Sequence, residues 1–390
     1  MSSKYKRGSL GALLLFASIS ATPLPAHAAP SPEPDKRIRI DQWHLRYLDV
    51  AKAHQLSQGE GVIVAVPDTG VDPHPDLRNN LMAGKDFVPG GKGDGRKDLD
   101  SHGTGMAGLI AAHGRGKDIG ALGIAPKAKI LPLLVSPPNA YGDPDKLAEG
   151  VEYAISHGAD VISISSGGGT SSRLTQAIRY AMSSDIVIVA GAGNRPVDSF
   201  VAYPARETGV IAVGGIDRTG QHADISVTGP QIDVVAPATD IYSTSISGKY
   251  RRGTGTSDAT AIVAGAAALV RSKYPNLPAA EVAHRLTATA TDRGAPGRDD
   301  EYGYGELDLV AALTADVPPA GFDSSTPPDA DFSASTDTDL SIGNAYHSRN
   351  RRKAIRNLTL LGLVAGGAGI YAVLWRRRRR AEDPPPRISR

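Results

Sequence analysis

The 390 residues carry 43 lysines and arginines against 41 aspartates and glutamates, a formal net charge of +2 that leaves no basic footprint for nucleic acid. There are no cysteines, which excludes a disulfide framework, a thiol nucleophile and a thiolate metal site. A hydrophobic fraction of 41% over this length supplies apolar surface for a core that needs no covalent staples.

In chain order, Lys4, Lys6 and Arg7 precede an apolar stretch over 10–19 and the small-residue pattern Ala26-His27-Ala28. This is the succession of an export signal, so residues 1–28 are expected to be a signal peptide. The run VIVAVPD over 62–68 is apolar and β-branched, which predicts a strand over 61–66 with Asp68 at its carboxyl end. His102 opens the run HGTGMAGLIAA, whose small residues and apolar face predict a buried helix starting at that imidazole. Further strands are predicted over 129–135, 161–165, 186–190 and 210–213, with a helix over 145–157. Such alternation predicts an α/β fold, a mostly parallel central sheet with helices on both faces, whose sites lie at strand carboxyl ends.

Ser257 lies in GTSDAT over 255–260, where a preceding glycine and small following residues suit a hydroxyl exposed at a helix start. Helix capping is the plain alternative for a serine in such a place. A serine hydroxyl is a weak nucleophile that needs an imidazole to take its proton and a carboxylate to fix the imidazole's tautomer. Asp68, His102 and Ser257 supply all three, in the chain order Asp, His, Ser.

Asp68-Thr69-Gly70, His102-Gly103-Thr104-Gly105 and Gly255-Thr256-Ser257 resemble the three signature segments of the subtilisin-like serine peptidases, the subtilases, and the likeness runs over about 61–313. The resemblance implies a subtilisin-like three-layer domain, placed over 61–314, and a serine-type endopeptidase working through an acyl-enzyme. It implies an oxyanion hole made by Asn194 and the backbone N–H of Ser257, with a minor contact from Thr256. It implies a substrate-binding strand and pocket wall at Ser165, Ser166, Gly167 and Gly168, where a polypeptide adds as an extra strand, with an opposing rim near 137–142. Residues 29–60 are expected to be an N-terminal extension too short for a large folding pro-domain. Within it, 38–53 resembles the family's extended piece followed by a short helix, with Trp43, Leu45 and Leu48 as packing residues. Two positions depart from the family pattern: Asp258 stands where an apolar residue is more usual, and Ala261 where proline is. Asp258 is expected to place negative charge near the leaving-group side and to alter the electrostatics of Ser257 and His102.

No cofactor and no metal is expected. The glycines over 167–169 lack the lysine and spacing of a phosphate loop, and Asp72, His74, Asp76, Asp94, Asp98 and Asp100 read as solvated loops. Residues 315–356 are read as a Pro/Asp/Ser/Thr-rich linker with a basic flank, too poor in apolar residues to fold alone. The nearly uncharged run over 357–375 is long enough to cross a bilayer and is read as a transmembrane helix, with 376–390 as a basic cytoplasmic tail. The expectation is a single-pass protein of the cell membrane with its catalytic domain outside. This layout resembles the mycosins, membrane-anchored subtilases associated with type VII secretion, which implies a membrane secretion complex as partner beside a polypeptide substrate. A general cell-surface subtilase and a scaffold or docking component of a membrane complex are the alternatives left open.

Overall fold

The computed structural model describes residues 34–320, apart from 99, 138–141 and 166–168. Its centre is one parallel sheet of β1 (Ile63–Asp68), β2 (Lys85–Asp86), β3 (Lys129–Leu134), β4 (Val161–Ile164), β5 (Val187–Gly191), β6 (Ile211–Ile216) and β7 (Val234–Pro237). The spatial order is β2-β3-β1-β4-β5-β6-β7. Strands covered on both faces need apolar residues at consecutive positions, which is why β1, β3, β4 and β5 read as largely hydrophobic runs while the edge strand β2 does not.

Side chains leave a strand on alternate faces, and the core divides accordingly. Val64, Val66, Val161, Val187 and Val189 pack with α4 (His102–Ala111) and α7 (Thr256–Lys273). Ala65, Ile162, Ile164, Ile188 and Ala190 pack instead with α5 (Pro144–Ser156) and α6 (Ser172–Ser183). The outer helices α5 and α6 are amphipathic and start at side-chain caps, Asp143 accepting from Asp145 N and Ser171 from Leu174 N. By contrast α7 is buried almost all round, an alanine-rich helix with Ile262, Val263, Leu269 and Val270 pressed between the sheet and its neighbours. Beyond it, α8 (Ala279–Ala288) and α9 (Leu309–Thr314) close the same face.

β1 pairs with β3 on one side and β4 on the other, so the strand order reverses there. A crevice opens beyond the carboxyl ends of strands at such a switch point. Asp68 is the last residue of β1, and Asn194 follows the end of β5 at the same edge.

β2 and β7 are not among the strands expected from the sequence, and two further features differ from that expectation. An antiparallel hairpin, β8 (Ile241–Thr244) and β9 (Tyr250–Gly253), delivers the chain into α7 and was not foreseen, since its short polar strands carry little hydrophobic signal. The stretch over 38–53 is not an extended piece and one helix but three short helices, α1 (Pro34–Asp41), α2 (Trp43–Tyr47) and α3 (Val50–Leu56). Long-range bonds hold these turns: Arg39 Nε donates to Gly120 O at 3.0 Å, Gln42 Nε2 to Leu122 O at 3.0 Å and Trp43 Nε1 to Thr239 O at 3.1 Å. Trp43, Leu45 and Leu48 are buried, the packing role expected of them.

Among the described residues no helix is long and apolar enough to cross a membrane. The expected signal peptide, most of the expected linker, the apolar run over 357–375 and the basic tail lie outside the described residues.

Candidate active site

The site is built where β1 ends and α4 begins. Asp68 is 2% exposed, and His102 Nδ1 lies 2.8 Å from its Oδ1 and 3.0 Å from its Oδ2. Thr69 N donates to the same Oδ1 at 2.8 Å. This approach depends on Gly103, where a Cβ would stand 2.1 Å from Gly70 O and 3.1 Å from Asp68 Cβ. Any side chain there would push the first turn of α4 off the end of β1.

Burial works hardest against charge on both groups, yet each favours the charged form of the other. Asp68 titrates below the usual carboxylate range because His102 and the Thr69 N–H outweigh its desolvation. His102 titrates above an ordinary histidine because Asp68 outweighs its burial, with Arg251 opposing and Asp258 assisting.

A deeper layer fixes the pair. Asp98 Oδ1 accepts from the Thr69 hydroxyl at 2.9 Å, from Asp100 N at 2.9 Å and from Ser101 N at 3.1 Å. Its Oδ2 accepts from Thr104 N at 2.9 Å and the Thr104 hydroxyl at 2.6 Å. The turn after Asp68 and the start of the helix bearing His102 are thus tied to one carboxylate. Asp98 is 2% exposed, which corrects its expected place in a solvated loop. His74 and Asp76 are corrected likewise: both are buried, and Asp76 accepts from Arg115 Nε at 2.7 Å, Ala121 N at 2.8 Å and the Tyr250 hydroxyl at 2.9 Å. A buried carboxylate is tolerable only with such partners, and the sequence around these aspartates gives no sign of partners so distant. Asp94 is exposed and paired with Arg96, as a solvated loop residue should be. Among the described residues no cluster of His, Asp and Glu has the make-up of a metal site.

Ser257 sits half-buried in the first turn of α7. Its hydroxyl donates to Ser165 O at 2.9 Å, and the Ser165 hydroxyl returns a bond to Ser257 O at 3.2 Å. The end of β4 is thereby clasped to the start of α7. Asn194 Oδ1 accepts from Thr256 N at 2.9 Å, which commits that oxygen to the backbone and leaves Nδ2 as the donor arm of the amide. Thr256 was expected to add a minor oxyanion contact, but its buried hydroxyl faces Gly193 N at 3.3 Å and Asn194 Oδ1 at 3.3 Å. It braces Asn194 from behind rather than facing the crevice. Ser165 stands at the predicted place after β4, whereas Ser166, Gly167, Gly168 and residues 138–141 of the expected rim lie outside the described residues.

Asp258 does not lie on the leaving-group surface. It is 2% exposed, and burial pushes its carboxyl up to about 6 even though Arg251 and His102 pull it down. Ala261 is fully buried within an unbroken α7.

Comparison with known proteins places this geometry among relatives. A sequence profile of the subtilase family matches residues 59–305. The thermostable alkaline protease of Halalkalibacterium halodurans is 37% identical over 278 residues, 70% of this chain and 74% of that protein. Subtilisin E of Bacillus subtilis is 42% identical over 259 residues, 65% of this chain and 66% of that protein. Among solved structures, the serine protease MycP1, described as an essential component of the type VII (ESX-1) secretion system, superposes with a TM-score of 0.65 at 33% identity. That match covers 74% of this chain and 92% of MycP1.

Proposed function

The chain belongs to the subtilase family of serine peptidases, and we propose that it cleaves polypeptides through Asp68, His102 and Ser257. The observation that carries this assignment is the 2.8 Å contact between His102 Nδ1 and Asp68, at the sheet edge where Ser257 and Asn194 also stand. With Nδ1 facing a carboxylate, the imidazole holds its proton there and keeps the Nε2 lone pair for the Ser257 hydroxyl.

Ser257 Oγ attacks the scissile carbonyl as His102 Nε2 takes its proton. Negative charge on the carbonyl oxygen is met by Asn194 Nδ2 and the Ser257 backbone N–H, a donor of this kind contributing about 3 kcal/mol to the transition state. His102 then gives the proton to the leaving amine, and water releases the acyl group from Ser257 by the same steps in reverse. An extended substrate pairing along the end of β4 competes for Ser165 O and frees the Ser257 hydroxyl for His102. The test is labelling of the purified protein by a fluorophosphonate, together with hydrolysis of a peptide library. Loss of both in Ser257→Ala is expected, and labelling that survives Ser257→Ala would overturn the assignment.

The finer reading concerns place and partners: an exported endopeptidase, anchored in the cell membrane by residues 357–375, with its catalytic domain outside and serving type VII secretion. The sequence supports export and anchoring through residues 1–28 and the uncharged run, and the likeness to MycP1 supports the secretion role. Membrane fractionation with protease protection tests the topology. Secretion measured in a Ser257→Ala strain separates an enzyme of the secretion system from a scaffold within it, and unaltered secretion on deletion of the whole chain points to a general cell-surface peptidase.

A further inference from the structure

Asp258 follows Ser257 directly, and its carboxylate lies inside the protein beside Arg251 of β9. Arg251 Nη1 stands 3.7 Å from Asp258 Oδ1, and neither atom has a hydrogen-bond partner among the described residues. The pair interacts through charge rather than through a made hydrogen bond. For a carboxylate as buried as that of Asp258, an unmade hydrogen bond is a costly arrangement unless something else depends on it.

Glycines make room for the pair. A Cβ on Gly253 would lie 2.6 Å from Asp258 Oδ2 and 2.6 Å from Arg251 Nη2, and one on Gly105 would lie 2.5 Å from Arg251 Nη1. Gly105 belongs to the first turn of α4, the helix opened by His102, while Asp258 belongs to the first turn of α7, which carries Ser257. The guanidinium therefore sits between the two helices whose first turns carry the reacting groups. The charges that act on His102 come from Asp68 on β1, Arg251 on β9 and Asp258 on α7. Asp68 and Asp258 favour an imidazolium and Arg251 opposes it.

We propose that Arg251 and Asp258 are positioning residues for the reaction, a charge pair of a half-buried guanidinium and a buried carboxylate that governs how readily His102 takes the Ser257 proton. This rests on the catalytic assignment above. When both are charged they oppose one another at His102, where Asp68 acts more strongly than either. When Asp258 takes up a proton, Arg251 is left uncompensated and discourages the imidazolium, so that His102 stays neutral, and able to act as a base, further into acid.

Asp258→Asn imitates the protonated state permanently. Its acid limb of kcat/KM should lie up to about half a pH unit below that of the unaltered protein, so that activity at pH about 6.5, where Asp258 in the unaltered protein is still largely charged, rises roughly twofold relative to the plateau. The Arg251→Gln/Asp258→Asn double variant removes both charges and should return the limb to within about 0.2 unit of the original, the mark of a coupled pair. Asp258→Leu, an apolar filling of the same pocket, gives a second single variant should the amide be poorly tolerated, and it should move the limb the same way. The pH dependence of fluorophosphonate labelling is followed in parallel, so that each variant is scored on folded, reactive protein. Labelled, active protein whose limb is the same in the unaltered chain, in Asp258→Asn and in Asp258→Leu overturns the proposal and leaves the catalytic assignment standing. An unaltered protein that never labels overturns the assignment itself, and the proposal with it.

Discussion

Thr69 and Asp98, 29 residues apart in the chain, meet across 2.9 Å, the threonine hydroxyl donating to the carboxylate. The same threonine oxygen accepts from Gly103 N at 3.0 Å, so one side chain links the turn after Asp68, the loop before His102 and the helix that His102 begins. The link ties together the turn and the helix between which the short Asp68–His102 contact is made.

Asp98→Ala strips partners from buried N–H and hydroxyl groups at both ends of that link. Stability to urea should fall by about 3 kcal/mol. In the fraction that stays folded, kcat should drop by about a hundredfold, since a displacement of even about 1 Å at His102 has that cost. A variant with unchanged kcat would show that Asp98 serves the fold but not the alignment of the site.

Asp68→Asn keeps the shape of the contact but loses the charge that fixes the tautomer and steadies the imidazolium. A fall in kcat of roughly 10⁴ is expected at neutral pH, the size known for such a change in this kind of triad. In the unaltered protein the acid limb of kcat/KM should have its midpoint above 6.5, because His102 is raised from that ordinary value and must be neutral to act as a base.

Asn194→Ala removes the amide donor proposed for the developing oxyanion while leaving the nucleophile intact. Steady-state kinetics should give a kcat lower by about 10²–10³ with KM little altered. A change confined to KM would place Asn194 in substrate binding instead.

His44 is fully buried on α2, neither of its ring nitrogens has a partner among the described residues, and burial, aided by Arg46, pushes it down to about 3. The folded protein therefore binds fewer protons at this ring than the unfolded chain does. Its stability must decline as the pH falls from about 6.5 towards 3, a cost on the order of 5 kcal/mol once protonation is complete. His44→Leu should shift the acid unfolding midpoint to lower pH while leaving stability at pH 8 equal or higher. An unmoved acid midpoint would mean that other groups set acid sensitivity.

The parallel strands β1, β3, β4, β5 and β6, the helix over 144–156 and the candidate triad were legible because each is written locally, as an apolar run bounded by turns or as a short motif around a reactive group. The hairpin at 241–253 was not legible, since its polar strands find their stability in packing against α4 rather than in their own pattern. Asp76 and Asp98 looked like loop acids for the same reason. Nothing near either in sequence announces Arg115 and Tyr250 for one, or Thr69 and Thr104 for the other.

From the order of its residues alone, this chain specifies a parallel α/β domain and a carboxylate, an imidazole and a hydroxyl in the succession that serine peptidases of this family use. Those properties depend on local periodicity and residue type, which are present before the chain folds. The solvation of each charge is not local. Asp258 looked like a surface charge beside the nucleophile, and only the closure of β9 against α7 puts it out of water, opposite Arg251 and within the field of His102. Burial and long-range pairing arise when distant segments meet, and with them the protonation behaviour of the site.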